Sequence, residues 1–462
     1  MLGILGILVS LGLLIGLAYR GWNVILIAPL CALVSVLFAL GDVPLLATYT
    51  QVYLPALGGY LVKFFPLFLL GAVFGKLMED SGSARAIAHG IVAFTGRQRA
   101  MLAIVLACAI LTYGGVSLFV VAFAVYPIAL TMFREGDIPK RLIPATIGLG
   151  AFTFTMTALP GTPAIQNAIP MPFFGTTLYA APGLGVIAAV IMLGTGLLWL
   201  NRRAASAASA GEGFGAGADA AVHKDDDGPV PPFAIAIAPV LVVLVLNFVL
   251  TNYVIPNMDT SYLAQAKYGK VALSAVAGIW AIVVAMFAAC ILVVLLNFKR
   301  LRNARETMNQ GALGSMLPAL NVASEVGYGA VIAGLAAFAV VRESLQSISS
   351  DPVISLAIIV NVLAGITGSA SGGLSIALQA MGAEYLQQAQ ALGISPQILA
   401  RVASLSSGGF DVLPHNGAVI TLLAICGLTH KQSYFDMFMV CALFPVIATV
   451  CVIVLNAMFG TF

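Results

Sequence analysis

Three side chains that can carry a proton stand within sequence apolar enough to lie in a bilayer. Glu325 sits mid-run in Ala323-Ser324-Glu325-Val326-Gly327, and Asp411 and His415 flank Pro414 in the stretch from Ser406 to Gly417. An ionised carboxylate at the centre of a spanning helix costs about 2.5 to 3.5 kcal/mol or more, so a carboxyl there is expected to serve a pathway or a proton relay. The alternative is a neutral carboxyl held in a helix-packing hydrogen bond. Histidine titrates near neutral pH, which makes His415, beside an acid, a candidate proton acceptor; its alternative is donation to a freed backbone carbonyl. Thr162, Gln166, Asn167 and Asn416 offer hydroxyl and amide groups that can bond a hydroxyl or a carboxylate without imposing charge. No phosphate loop, catalytic triad or metal-ligand cluster occurs, and Gly368-Ser369-Ala370-Ser371-Gly372-Gly373 lacks the lysine of a phosphate loop. The residues therefore predict transport rather than catalysis, with no cofactor and no metal.

Two interrupted helices must position these groups. Pro414 lacks an N–H and the neighbouring glycines hold helical geometry poorly, so backbone groups lose their partners there. At membrane depth such backbone survives only when buried in protein or lining a polar cavity. The interruption recurs upstream: Ala158-Leu159-Pro160-Gly161-Thr162-Pro163-Ala164 reads against Val412-Leu413-Pro414-His415-Asn416-Gly417-Ala418. Gly114 precedes Pro160 by 46 residues and Gly368 precedes Pro414 by the same 46. Equal spacing of paired motifs predicts an internal repeat, with the binding site where the interrupted segments meet.

Of the 462 residues 61% are hydrophobic and only 8% charged, with mean hydropathy +1.04. A soluble domain carries about 25% charged residues, so the composition excludes a soluble enzyme or a nucleic-acid-binding protein and predicts an all-α polytopic membrane protein. The six cysteines are scattered singly, as buried thiols are. Residues 1–18 lack a basic leader and read as an uncleaved first span. Gly12/Gly16 and Gly71/Gly75 have the spacing of close helix contacts.

Apolar runs predict about ten spans, near 2–19, 22–40, 60–78, 142–157, 183–200, 232–251, 271–297, 311–340, 398–428 and 435–459. Residues 100–133 are too few for two crossings of about 20 residues each plus a turn, so they predict a re-entrant hairpin with its tip at 113–117. Residues 351–390 predict a second, with its tip at 368–373. With the N-terminus outside, sixteen of the 21 basic residues fall on the cytoplasmic side. The halves, 1–200 and 233–462, then have opposite orientation. Residues 201–232, rich in Ala, Ser, Gly and Asp, predict a flexible cytoplasmic linker. Half-helix N-termini at Ser117, Ser371 and Gly417 would supply positive potential for an anion. No Arg or Lys occurs in either break, and Arg401, after Ser395-Pro396, is expected near the outer interface.

At Thr112 to Pro127, Leu159 to Pro163, Gly365 to Gly373 and Ser406 to Gly417 the chain resembles the gluconate permease family of proton-coupled symporters, within the ion-transporter superfamily of elevator carriers. The resemblance spans nearly the whole chain. It implies a homodimer in a bacterial inner membrane, with hairpins and broken helices forming a mobile body against a scaffold. Sugar-acid members carry an acidic residue after the aromatic pair of the first hairpin, where this chain has Val120. That departure makes the chain more similar to the branch for short hydroxy acids such as 3-hydroxybutyrate. The expected partners are the lipid bilayer, a small organic anion and H⁺. Alternatives are gluconate or another sugar acid with H⁺, and Na⁺ coupling through hydroxyls, amides and carbonyls at the breaks. The expected binding residues are Gly115, Ser117, Pro160, Thr162, Gln166, Asn167, Ser369, Ser371, Gly372 and Asn416, with Glu325, Asp411 and His415 carrying the proton.

Overall fold

A computed structural model describes residues 2–20, 22–39, 43–96, 99–116, 118–215, 230–301, 303–340, 349–414 and 416–462. The first half runs through α1 (Leu2–Tyr19), α2 (Val24–Leu37), α3 (Leu45–Asp80) and α4 (Ser83–Thr95) to a helical hairpin of α5 (Ala100–Tyr113) and α6 (Leu118–Glu135). Next comes α7 (Ile143–Ala151), which breaks up into short turns before α8 (Pro182–Ser209). The second half runs in a similar order without a counterpart of α4: α9 (Phe233–Asn257), α10 (Leu273–Leu296), α11 (Ala304–Gly334), and a hairpin of α12 (Pro352–Thr367) and α13 (Ala370–Ala391). The interrupted pair α14 (Pro396–Ser407) and α15 (Gly417–Ile425) follows, then α16 (His430–Phe459). The described residues contain no strand. Among them α3, α8, α9, α10, α11 and α16 are long and apolar enough to cross a membrane. The protein is an all-helical, multi-pass membrane protein.

The long helices α3 and α11 lie against each other. Glycines permit the approach: a Cβ on Gly311 would stand 2.7 Å from Cα of Val73, and one on Gly327 would stand 2.9 Å from the Tyr53 ring. Tyr53 reaches α11 from a wide, π-type turn over Tyr49–Tyr53, where one extra residue per turn re-aims the side chains. The spaced glycines singled out from the sequence do otherwise, since Gly12, Gly16 and Gly71 face open space. A spacing says that two glycines share a helix face, and only packing decides what that face meets.

The expected linker is helical at its start, because α8 continues to Ser209 through alanine-rich sequence with high helix propensity. The chain after it is tied down. Arg141, ahead of α7, bonds Glu212 through Nε (2.6 Å) and Nη2 (2.9 Å) and Asp436 through Nη1 (2.9 Å). Asp436 also accepts from Trp199 and Arg203 of α8. The hydrogen bonds from Arg141 hold the Glu212 carboxyl below the usual range.

Candidate functional site

Each hairpin tip is fastened to the break of its own half. In the first, Gly115 takes φ +91, a left-handed conformation that suits glycine, and a Cβ there would meet Pro163 at 3.1 Å. The Tyr113 hydroxyl donates to the carbonyl of Pro160 at 2.6 Å. In the second, the Asn416 amide donates to the carbonyl of Gly368 at 2.7 Å, and Gly368 takes φ +62. Asn416 also caps α15, its Oδ1 accepting from Ala418 N (2.6 Å) and Val419 N (3.0 Å). Both functions of this amide are thus committed to the backbone.

Arg401 has a role the sequence did not show. It is 1% exposed and crosses from α14 to the first break. Nε donates to Ala180 O (2.9 Å), Nη1 to Thr157 O (3.2 Å) and Asn167 Oδ1 (3.1 Å), and Nη2 to Leu178 O (3.3 Å). Ser404, one turn on, donates to Thr157 O and Asn167 Oδ1. Gly185 of α8 leaves room, since a Cβ there would lie 3.1 Å from Nε. The first break sheds carbonyls from its helix, and the guanidinium of the other half collects them. No carboxylate pairs with Arg401 among the described residues, so its charge is balanced only by dipoles. The i, i+3 spacing of Arg401 and Ser404 was the available signal, because it puts a polar stripe on one face of α14.

Beside Asn167, Thr162 is 0% exposed and its hydroxyl has no partner among the described residues. Gln166 is half-buried on the turn Ile165–Ala168. Asp411, 4% exposed in the turn Phe410–Val412, likewise leaves Oδ1 unpartnered. The second break is otherwise served from its own half. His430 Nε2 lies 2.8 Å from Pro414 O, which can only accept, so that nitrogen carries the hydrogen; the Tyr434 hydroxyl donates to Val412 O at 3.1 Å. Ser117 and His415 lie outside the described residues.

Glu325 meets the second hairpin tip. Its carboxylate stands against Gly372, where a Cβ would collide with Oε2, and faces the Ser369 hydroxyl, which caps α13 by accepting from Gly372 N at 3.0 Å. Ser371 follows, half-buried, in the first turn of α13. Oε2 of Glu325 has no partner, and no hydrogen bond joins Glu325 to Asp411 among the described residues. Next to Glu325 opens a cavity of about 160 Å³ between α3, α11, α13 and the segment Ile169–Phe173, with Tyr60, Lys63, Ser375 and Gln379 on its wall. Sequence reasoning passed over these residues, because single hydroxyls and one lysine in apolar helices carry no spacing signal.

A family model described as GntP family permease matches residues 2–458. An uncharacterized transporter, YxjC, of Bacillus subtilis (strain 168) is 45% identical over 460 residues, covering 96% of this chain and 97% of that protein. A high-affinity gluconate transporter of Escherichia coli (strain K12) is 34% identical over 103 residues, 22% of this chain and 23% of that protein. An uncharacterized transporter of Haemophilus influenzae is also 34% identical, over 105 residues covering 22% of this chain and 25% of that protein.

Proposed function

The chain belongs to the GntP permease family, and from that membership we propose that it is a secondary carrier bringing a small hydroxylated monocarboxylate into the cell together with protons. The observation that carries the reading is the buried Arg401. A cation with no counter-ion among the described residues, held against the first break by four neutral acceptors, attracts an organic anion into a site of low dielectric. Thr162 then has a free hydroxyl for the substrate, and Glu325 and Asp411 have free carboxyl oxygens for protons. The similar order of elements in the two halves supports two inverted repeats, and the distribution of basic residues supports an N-terminus outside a bacterial inner membrane.

Transport follows as an elevator movement, in which hairpins and breaks slide as one body along α3 and α11 within a dimer. The fastening of each tip to its break supports such a body, and the glycine-to-side-chain contact of Gly329 with Ile376 supports a smooth sliding face. Val120 favours 3-hydroxybutyrate as substrate. The likeness to a gluconate transporter favours a second reading, a sugar acid with H⁺. Uptake of labelled 3-hydroxybutyrate and gluconate into proteoliposomes, under imposed pH or Na⁺ gradients, tests both. Accumulation driven by Na⁺ and indifferent to pH would overturn the proton reading.

A further inference from the structure

The cavity beside Glu325 has on its wall two buried hydroxyls that complete no hydrogen bond among the described residues. Tyr60 is 5% and Ser375 2% exposed; their hydroxyls lie near enough to interact with each other, but neither reaches full hydrogen-bond geometry with any partner among the described residues. Lys63, exposed at the mouth, makes no ion pair among the described residues, and its ammonium lies 5.7 Å from the centre of the Phe173 ring. The Gln379 amide adds a further donor. Buried polar groups of native proteins are nearly always paired, so a pair of orphaned hydroxyls lining a cavity is a place prepared for a ligand. The volume, about 160 Å³, is many times the roughly 10–15 Å³ that one water requires.

We propose that this cavity is a carboxylate-binding station apart from the cleft between the breaks, in which Lys63, Tyr60 and Ser375 hold a small organic carboxylate, and that its occupancy is linked to proton uptake by Glu325. The inference rests on the reading that the protein carries an organic anion. An ammonium and several donors around one small space match an anion with two oxygens. Behind this wall, Val326 lines the cavity and Glu325 is its neighbour on α11. The titratable and charged groups facing Glu325 are Tyr53 and Tyr60 of α3, with Lys63 on the same helix; the tip of α13 contributes only the Ser369 hydroxyl. Farther off on the elements packed against α11 are Tyr49 in the π-type turn, Cys31 on α2, Glu384 on α13, and Lys76, Glu79 and Asp80 at the other end of α3. A second negative charge entering the cavity raises the cost of keeping Glu325 ionised. The linked event is addition of one proton from solvent to the Glu325 carboxylate as the anion docks, so the charge carried inward is offset before the hairpin moves.

Calorimetric titration of the full-length protein in lipid nanodiscs with 3-hydroxybutyrate and with gluconate, in two buffers of different ionisation enthalpy, counts the protons. In alkaline buffer, where Glu325 starts ionised, binding by the wild type should take up a proton, and Glu325→Gln should bind without that uptake. Lys63→Gln and Ser375→Ala should each weaken binding about tenfold, as loss of one charged or buried donor does. In Ser375→Cys, either acid at saturation should slow modification by a small neutral thiol reagent at least threefold, a ratio that fold loss cannot mimic. Binding within twofold of wild type in both Lys63→Gln and Ser375→Ala, or unslowed modification, overturns the station. A carrier that accumulates either acid with those variants unaffected refutes this inference alone. A wild-type protein that accumulates neither acid under any gradient refutes the transport reading and this inference with it.

Discussion

The two broken helices match in sequence around their Leu-Pro steps but are held together by different means. In the first, Pro160 O accepts from Tyr113 of the preceding hairpin, and the carbonyls around the break are gathered by Arg401 from the other half. In the second, His430 reaches Pro414 O and Tyr434 reaches Val412 O, both from the following helix, while Asn416 caps α15 and ties the hairpin tip. The first break therefore depends on the second half, whereas the second is satisfied within its own. Their spare groups differ as well: Thr162 keeps a hydroxyl without a partner among the described residues, while Asn416 has its oxygen doubly engaged and one of its two N–H donors bound to Gly368. Corresponding positions in a repeat need not share a role, because each break recruits whatever donor the surrounding packing brings near.

Removing the cross-strut should have the largest effect. Arg401→Gln orphans several buried carbonyls at about 1–3 kcal/mol each, so thermal unfolding followed by gel filtration should show a destabilised protein and uptake should vanish. Arg401→Lys should rescue little, since one ammonium cannot reproduce the fork. A melting temperature unchanged in Arg401→Gln would break the comparison.

The next test separates the spare group from the committed one. Thr162→Ala removes a hydroxyl with no partner, so stability should hold while uptake of a hydroxylated substrate falls roughly 5- to 150-fold relative to butyrate. Asn416→Ala should instead lower uptake of hydroxylated and plain acids alike and destabilise the fold by about 0.5–2 kcal/mol, the cost of a lost cap. A selective loss of the hydroxylated acid in Asn416→Ala would reassign the roles. Competition assays with 3-hydroxybutyrate and butyrate decide it.

Gly115→Ala should cost about 1–2 kcal/mol, because an L side chain at φ +91 is strained, and its Cβ would press on Pro163 and Met286. Wild-type unfolding with slow uptake would show that the tip changes conformation during transport.

The smallest effect concerns Glu212 and Arg141. The folded-state pKa of Glu212 is lowered, so this ion pair contributes stability above the unfolded carboxyl value and loses it as pH falls through the folded one. Because Glu212 is 44% exposed, the contribution is screened by salt. Glu212→Gln should leave stability at acid pH unchanged and lower it slightly at neutral pH in low salt. Equal melting curves at both pH values in low salt would remove the pair from the account.

Composition and spacing by themselves determined that the protein is helical and membrane-embedded, and where its hairpins turn and two of its helices break. A charged fraction of 8% permits nothing else at this length, and proline and glycine end helices through bond geometry that no neighbour can restore. Tips near Gly114 and Gly368 and breaks at Pro160 and Pro414 were legible for that local reason. Which side chains serve those breaks was not. Arg401 looks like a charged residue near a helix start, and only the approach of α14 to Thr157, Asn167 and Ala180 turns it into a buried strut. That Asn416 ties the hairpin tip shows only when the fold delivers Gly368 to its amide, and Tyr60, Lys63 and Ser375 become one cavity only because α3 and α13 meet. Local backbone geometry is written in short stretches of chain, whereas the partner of a buried polar group is set by contacts hundreds of residues away in sequence.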